Sequence, residues 1–424
     1  MLIEFSVTNF CSILEKQTIS MVANNSDELS STHILNTEIK NLTRLLPCAV
    51  VYGANASGKS NLIDSMGVMR QIILDSADKG QEGQAIAGIE PHALAKNSPT
   101  EFEIFFILEN VRYQYGFAAT KERIVEEWLY AYPHSRAQRW LEREFDEELN
   151  SFDWYINADK VKGARELWKD STRDNALFLS TATQLNSEQF KPLINWFRQN
   201  LQGGQAERVS ESITLKTCED ESKRQQILDF LNEADLSIAD INITREDLNI
   251  SNLSDALPAE LKKSLLQKIT EINSSSENKV QKIEVSFSHS TEQGENFSLE
   301  YSRESDGTHR MFELAGIWLH VLKHGYVLRL DELERSLHPL LVRYLISLFH
   351  DPEVNKNNAQ LIVTTHDSSI LDKFLRRDQY WLIEKDRNQA SSLCPLSDFK
   401  PRDNEALQKN YLQGRYGALP YINS

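Results

Sequence analysis

The sequence predicts an α/β fold: a mixed, largely parallel sheet around a phosphate-binding loop, an antiparallel β-layer beside it, and a mostly helical insertion. Three observations predict it. Gly53-Ala54-Asn55-Ala56-Ser57-Gly58-Lys59-Ser60 fits G-x-x-x-x-G-K-[ST]. Two later apolar runs, Tyr326-Val327-Leu328-Arg329-Leu330 and Leu361-Ile362-Val363, end in residues with chemistry: Asp331-Glu332 and Thr364-Thr365-His366. Between them lie several short runs of strand-forming residues broken by turn signals.

Taken in order, residues 2–8 alternate as a strand, and residues 10–13 and 17–22 continue the β pattern until Asn24-Asn25-Ser26-Asp27 breaks it. The apolar run 47–52 reads as a buried strand feeding the glycine loop, with a helix behind it to about Ala77. Residues 78–100 read as loop, and residues 102–107, 113–117 and 124–130 as three antiparallel strands. From about 135 to 280 the pattern turns helical. Phe190, Leu193, Ile194, Phe197 and Leu201 recur at helical spacing, as do Leu261, Leu265, Leu266, Ile269 and Ile272, with a short strand through Leu236, Ile238, Ile241 and Ile243 between them. Five of the seven tryptophans (Trp128, Trp140, Trp154, Trp168, Trp196) fall in or beside this stretch and read as core aromatics. Strand patterns return at 283–287 and 297–301 around a Gln293-Gly294-Glu295-Asn296 turn. The domain expectation is therefore 1–134, an insertion over 135–280, and 281–424.

Composition sets limits. No apolar run approaches the ~18 residues of a membrane span, and the N-terminus lacks a basic region followed by an apolar core. Cys11, Cys48, Cys218 and Cys394 are scattered, with no C-x-x-C pair, which excludes a zinc ribbon and suits reduced thiols in a cytoplasm. A formal charge of −16 argues against a surface that coats nucleic acid, though not against a local basic groove.

The glycine loop explains itself chemically. Glycines let the backbone turn several N–H groups onto one anion at a helix N-terminus. Lys59 would reach the β- and γ-phosphates and the Ser60 hydroxyl would ligate Mg²⁺. At the carboxyl edge of the same sheet Asp331 is positioned to bind Mg²⁺, and Glu332 to orient and deprotonate an attacking water. His366, on a neighbouring strand end, could hydrogen-bond the γ-phosphate or that water. Ser305-Asp306-Gly307-Thr308 starts a helix whose apolar face is Met311, Leu314, Ala315, Trp318, Leu319 and Leu322. Ser305 is its N-cap candidate, and the Ser-x-Gly start offers a hydroxyl and backbone N–H groups to an anion.

Together these motifs resemble the ABC-type ATPase heads, the group of SMC-, Rad50-, RecF- and OLD-like proteins. Residues 53–60 match Walker A, 305–308 the degenerate signature motif, 328–332 Walker B, Arg335-Ser336-Leu337-His338-Pro339 the D-loop, and 364–366 the switch-histidine strand. A closer likeness is to the AAA15-type ATPases encoded beside bacterial abortive-infection and phage-defence genes, carried by residues 1–10, 52–62, 331–339 and the tail Gly414-Arg415-Tyr416-Gly417-Ala418-Leu419-Pro420. Where that group often has Arg or Lys after Asn-Phe, this chain has Cys11, and no glutamine behind the P-loop carries a distinctive Q-loop pattern.

The resemblance implies ATP and Mg²⁺ as cofactors. It implies nucleotide contacts from Gly53, Asn55, Ala56, Ser57, Gly58, Lys59, Ser60, Asn61, Ser305, Gly307 and Ser336, metal ligation by Ser60 and Asp331, and hydrolysis through Glu332, His366 and Lys59. In such heads the signature helix of one subunit covers the nucleotide of another, so a full site requires a homodimer or higher homo-oligomer. The insertion is too short for an SMC-type arm. After His366 too little chain remains for a complete TOPRIM nuclease domain, which needs roughly 100 residues. The expected role is thus an ATP-driven switch acting on a separately encoded, nuclease-like effector in anti-phage defence. A RecF-like DNA-binding ATPase is the alternative, with Lys373, Arg376 and Arg377 as its one local basic cluster.

Overall fold

The computed structural model describes residues 1–204, 211–248, 280–291, 293–402 and 405–420. It divides into two compact units, Met1–Val209 with Trp318–Ser424, and Ser210–Ile317. The helical pattern expected through Leu261, Leu265, Leu266, Ile269 and Ile272 lies outside the described residues.

The larger unit holds two main sheets. One has six strands in the order Leu201–Gly204, Val327–Leu330, Gln360–Thr365, Cys48–Tyr52, Tyr380–Lys385, Ser391–Pro395. Every pairing in it is parallel except the last. Its three central strands are buried along their whole length, as a sheet covered on both faces requires. The second sheet has seven antiparallel strands in the order Ser151–Ile156, Gln138–Asp146, Ile124–Tyr132, Val111–Ala119, Thr100–Leu108, Leu2–Thr8, Gln17–Ser20. One continuous apolar core joins them through the helices Lys59–Asp75, Phe178–Gln184 and Lys191–Asn200. A buried amide ties the sheets polar group to polar group: Gln360 accepts from Leu2 N at 2.6 Å and donates to Leu2 O and Leu46 O at 3.0 and 3.1 Å.

The smaller unit carries the three-stranded antiparallel sheet Ile238–Leu248, Val280–Ser290, Asn296–Glu300, and the helices Ser212–Cys218 and Glu221–Glu233. The helix Asp306–His324 begins in this unit. Phe287 meets Phe312 edge-on at 5.2 Å. A Cβ on Gly316 would lie 2.5 Å from Thr214 N, so only glycine lets these two helices approach so closely.

Three expectations need correction. Residues 10–13 are a tight turn, with Phe10 bridged to Ile13 and positive φ at Asn9 and Cys11. The stretch from 135 is not yet an insertion: Gln138–Asp146 and Ser151–Ile156 extend the antiparallel sheet, the helices to Asn200 cover its core, and Leu201 opens a strand beside Val327–Leu330 rather than ending a helix face. The chain after His366 supplies two of the six strands of the first sheet and forms no sheet of its own among the described residues. Of the five tryptophans read as core, Trp168 and Trp196 are buried, while Trp128, Trp140 and Trp154 are half-buried.

Candidate functional site

The buried strand Cys48–Tyr52 delivers the chain into a loop that returns as the helix Lys59–Asp75. The turn needs left-handed backbone at Ala56 (φ 62°) and Gly58 (φ 108°). Gly53 and Gly58 are also sterically required. A Cβ on Gly53 would sit 2.4 Å from Ile383 O, and one on Gly58 would sit 2.3 Å from Ser391 Oγ. Asn55 and Ala56 are exposed at the tip, while Ser57, Gly58 and Lys59 are buried.

Two serines far apart in sequence brace this loop from behind. Ser391 Oγ donates to Ser57 O at 2.6 Å and lies 2.7 Å from Ser12 Oγ, which in turn accepts the Asn61 amide at 2.7 Å. The Asn61 side chain is thus engaged with the brace. Ser12 comes from the turn after the first strand and Ser391 from the last strand of the parallel sheet.

Lys59 is 5% exposed. Its ammonium donates to Gly53 O at 2.8 Å and Ala54 O at 3.0 Å, and lies 3.5 Å from His366 Nδ1. Burial pulls its pKa below the usual value, opposed by the nearby carboxylates of Asp331, Glu334 and Glu332.

Those carboxylates all follow the end of the strand Val327–Leu330. The strand Val327–Leu330 lies beside Gln360–Thr365, which lies beside Cys48–Tyr52, all parallel, so their carboxyl ends share one edge. Thr364 organises the first two: its hydroxyl donates to Asp331 Oδ1 and accepts Glu332 N at 2.8 Å. Asp331 is 6% exposed. Glu332 takes a left-handed φ of 50°. Its carboxylate lies 3.9 Å from His366 Nε2. One imidazole therefore stands between the loop lysine and the strand-end glutamate. Glu334 accepts the backbone N–H of His366.

Below the edge, Arg329 projects from the Val327–Leu330 strand against the loop helix and donates to Ile63 O at 3.0 Å. Burial lowers its pKa to about 10. Gly67 makes room for it, since a Cβ there would meet the guanidinium at 3.0 Å. In the stretch Arg335-Ser336-Leu337-His338, Ser336 is exposed with φ 60°, and His338 caps the helix Pro339–Ser347 through Leu340 N at 3.2 Å.

In the smaller unit Ser305 caps its helix as expected: Thr308 N donates to Ser305 Oγ at 3.1 Å, and the hydroxyls of Ser305 and Thr308 lie 2.9 Å apart. Met311, Leu314, Ala315, Trp318 and Leu322 are buried and Leu319 is half-buried.

The donor set suits magnesium. A hydroxyl at Ser60 and a carboxylate at Asp331 are hard oxygen ligands, and Mg²⁺ commonly takes only one or two protein ligands beside phosphate and water. Among the described residues no three His, Cys, Asp or Glu side chains form a metal cluster. Sequence reasoning missed Ser12, Ser391 and Glu334. Nothing in the spacing of Thr364-Thr365-His366 marks out Thr364 for the task it has here.

These features define an α/β domain with a glycine loop at the carboxyl edge of its largely parallel sheet, and a family comparison takes the assignment further. Residues 48–372 match the family described as "AAA domain, putative AbiEii toxin, Type IV TA system". The chain belongs to that family and carries its AAA-type, ATP-binding domain. No curated protein matches it. Among solved structures, the SMC head domain from Thermotoga maritima is 13% identical at a TM-score of 0.38, over 93% of this chain and 98% of that one. The recombination mediator RecF-ATPrS of the RecFOR pathway is 13% identical at 0.37, covering 93% and 98%. The Smc head from Pyrococcus furiosus bound to the C-terminal domain of ScpA is 14% identical at 0.35, covering 94% and 97%. No helix among the described residues is long and apolar enough to cross a membrane.

Proposed function

We propose that this protein is an ATP-hydrolysing dimeric switch that controls a separately encoded, nuclease-like effector in anti-phage defence. One observation carries the reading: Lys59, His366 and Glu332 form a chain of contacts, 3.5 and 3.9 Å long, at the sheet edge where Asp331 also ends its strand. In this reading the backbone of residues 53–60 cradles the phosphates, and Lys59 leaves its two carbonyl partners to neutralise them. Ser60 and Asp331 would hold Mg²⁺, which when bound supplies charge for the phosphate oxygens. Glu332 orients and deprotonates the attacking water. His366, touching both Lys59 and Glu332, registers whether the γ-phosphate is present. Ser305, Gly307 and Ser336 serve the nucleotide of a second copy, since each chain has one set of motifs and a closed pair supplies two complete sites. The toxin–antitoxin wording of the family supports a paired partner gene.

The test is Glu332→Gln. Phosphate release should fall about 10²–10⁴-fold, the span of a lost general base, and the variant should accumulate as an ATP-bound dimer in sedimentation. A monomer at saturating ATP would sink the two-copy site. Purification with the product of the adjacent reading frame, with and without ATP, tests the effector.

A further inference from the structure

We propose that Glu334 is a positioning residue for the switch histidine: by fixing the backbone N–H of His366 it holds the imidazole between Lys59 and Glu332. The inference rests on the proposed ATPase reading for its catalytic consequence, but its geometry stands apart from it. Three facts converge. Glu334 Oε1 accepts the His366 peptide N–H across two neighbouring strand ends. Its other oxygen, Oε2, is buried and has no hydrogen-bond partner, so the carboxylate is held in place at a desolvation cost that no second bond offsets. The residue it fixes presents Nδ1 to Lys59 Nζ at 3.5 Å and Nε2 to Glu332 at 3.9 Å, distances that a shift of the His366 backbone would break together.

The physical argument concerns what else could hold His366. It lies just past the end of the strand Gln360–Thr365, where ladder hydrogen bonds have stopped. The following residue, Asp367, turns its carboxylate to Ser369 N at 2.8 Å and its N–H to Thr365 Oγ1 at 3.0 Å, a local bond across His366 that does not tie the histidine to the neighbouring strand. Glu334 provides the cross-strand tie. It also sits at the start of the D-loop turn, where Leu337 N donates to Glu334 O at 2.9 Å. One residue therefore links the histidine that faces Lys59 to the segment carrying Ser336.

Three variants of the full chain separate acceptor, charge and reach. Glu334→Gln keeps an oxygen acceptor at the same length without the charge. Glu334→Asp keeps the charge but is one methylene short. Glu334→Ala removes both. We expect kcat for ATP to fall about 10- to 100-fold in Glu334→Ala and Glu334→Asp, the cost of one hydrogen bond to a charged group. KM should move by less than about 3-fold, as for loss of a contact that matters in the transition state. Glu334→Gln should restore kcat to within about 3-fold of the parent. Independently of nucleotide, amide exchange in the peptide containing His366 should accelerate in the Ala and Asp variants and remain protected in the Gln variant. Unchanged exchange or unchanged kcat in Glu334→Ala overturns the proposal, as does a Gln variant as impaired as Ala. A parent protein that turns over no ATP removes the ATPase reading instead, and the exchange pattern then decides the latch alone.

Discussion

Two clusters of charge in the larger unit are built in opposite ways. In the antiparallel sheet Glu127 and Arg143 face each other at 3.0 Å with both side chains 0% exposed. Glu127 is saturated: it accepts Tyr115 OH at 2.9 Å, Phe178 N at 2.7 Å and Leu179 N at 3.0 Å. Arg143 donates to Ala176 O and lies over the rings of Phe152 and Trp154 at 4.9 and 5.1 Å. At the edge of the parallel sheet Lys59 instead leans on backbone carbonyls, and the His366 and Glu332 side chains it leads to are 36% and 47% exposed and loosely spaced. A buried ion pair whose carboxylate is fully hydrogen-bonded locks a fold, even though Arg143 Nε and Nη1 make no hydrogen bond of their own. One whose members keep weak, exchangeable partners is poised to meet a ligand.

The largest effect should come from exchanging the two roles. Arg143→Met leaves Glu127 buried and unpaired, so unfolding free energy should drop by about 3–5 kcal/mol, while ATP turnover of the folded fraction changes little. Lys59→Met should do the reverse. Turnover should fall about 10²–10³-fold, as for loss of one transition-state donor, with the unfolding midpoint unchanged or higher because a desolvated ammonium has gone. Denaturant melts and phosphate release on both variants check the crossing. If Lys59→Met unfolds the protein and Arg143→Met abolishes turnover of folded material, the distinction is wrong.

The contrast also explains what could be read in advance. The parallel strands announce themselves because both faces are buried, giving continuous apolar runs, and their ends carry chemistry because the glycine loop fixes which edge matters. The strands Gln138–Asp146 and Ser151–Ile156 did not, because the inward position after Leu141 is Arg143, whose partner Glu127 lies on another strand. Alternation is broken by a pair that only the fold assembles. The Ser12–Ser391 brace and the Glu334 latch are invisible for the same reason: each is a hydrogen bond between residues whose proximity depends on strand order, not spacing.

A smaller effect separates neutral buried groups from charged ones. His33 and His350 stack at 3.8 Å between ring centres, both nearly inaccessible. Burial pulls His33 down to about 4, with Arg376 lowering it further and Asp378 opposing. Burial pulls His350 well below the usual value, and His33 adds to this. Below the ordinary histidine pKa the unfolded chain takes up protons that the folded pair refuses. Stability should be full above about pH 6.5 and should fall between there and about pH 4. Denaturant melts at pH 7 and pH 5 measure it, and His33→Gln should flatten the difference. A pH-independent midpoint in the parent would mean the pair is not held neutral.

The smallest effect tests the open face of the antiparallel sheet, where charge is neither locked nor poised. Glu144 lies directly opposite Glu126 on one neighbouring strand and Asp153 on the other. The nearby Arg139 is engaged with Glu142 at 2.7 Å and with the Tyr155 ring at 3.5 Å. Like charges directly opposite are destabilising, so Glu144→Gln should raise stability by about 0.2–1 kcal/mol, and the gain should shrink as salt screens the row. Burial, then Glu144 and Glu101, raise the Glu126 pKa, so the folded state holds its proton more tightly than the unfolded chain does. This group therefore adds stability as pH falls through its raised value, opposite in sign to the histidine pair. Melts of Glu144→Gln at low and high salt decide it. A destabilised or salt-insensitive variant would mean that the row is already neutralised by a neighbour, and that this face belongs with the locked cluster rather than apart from it.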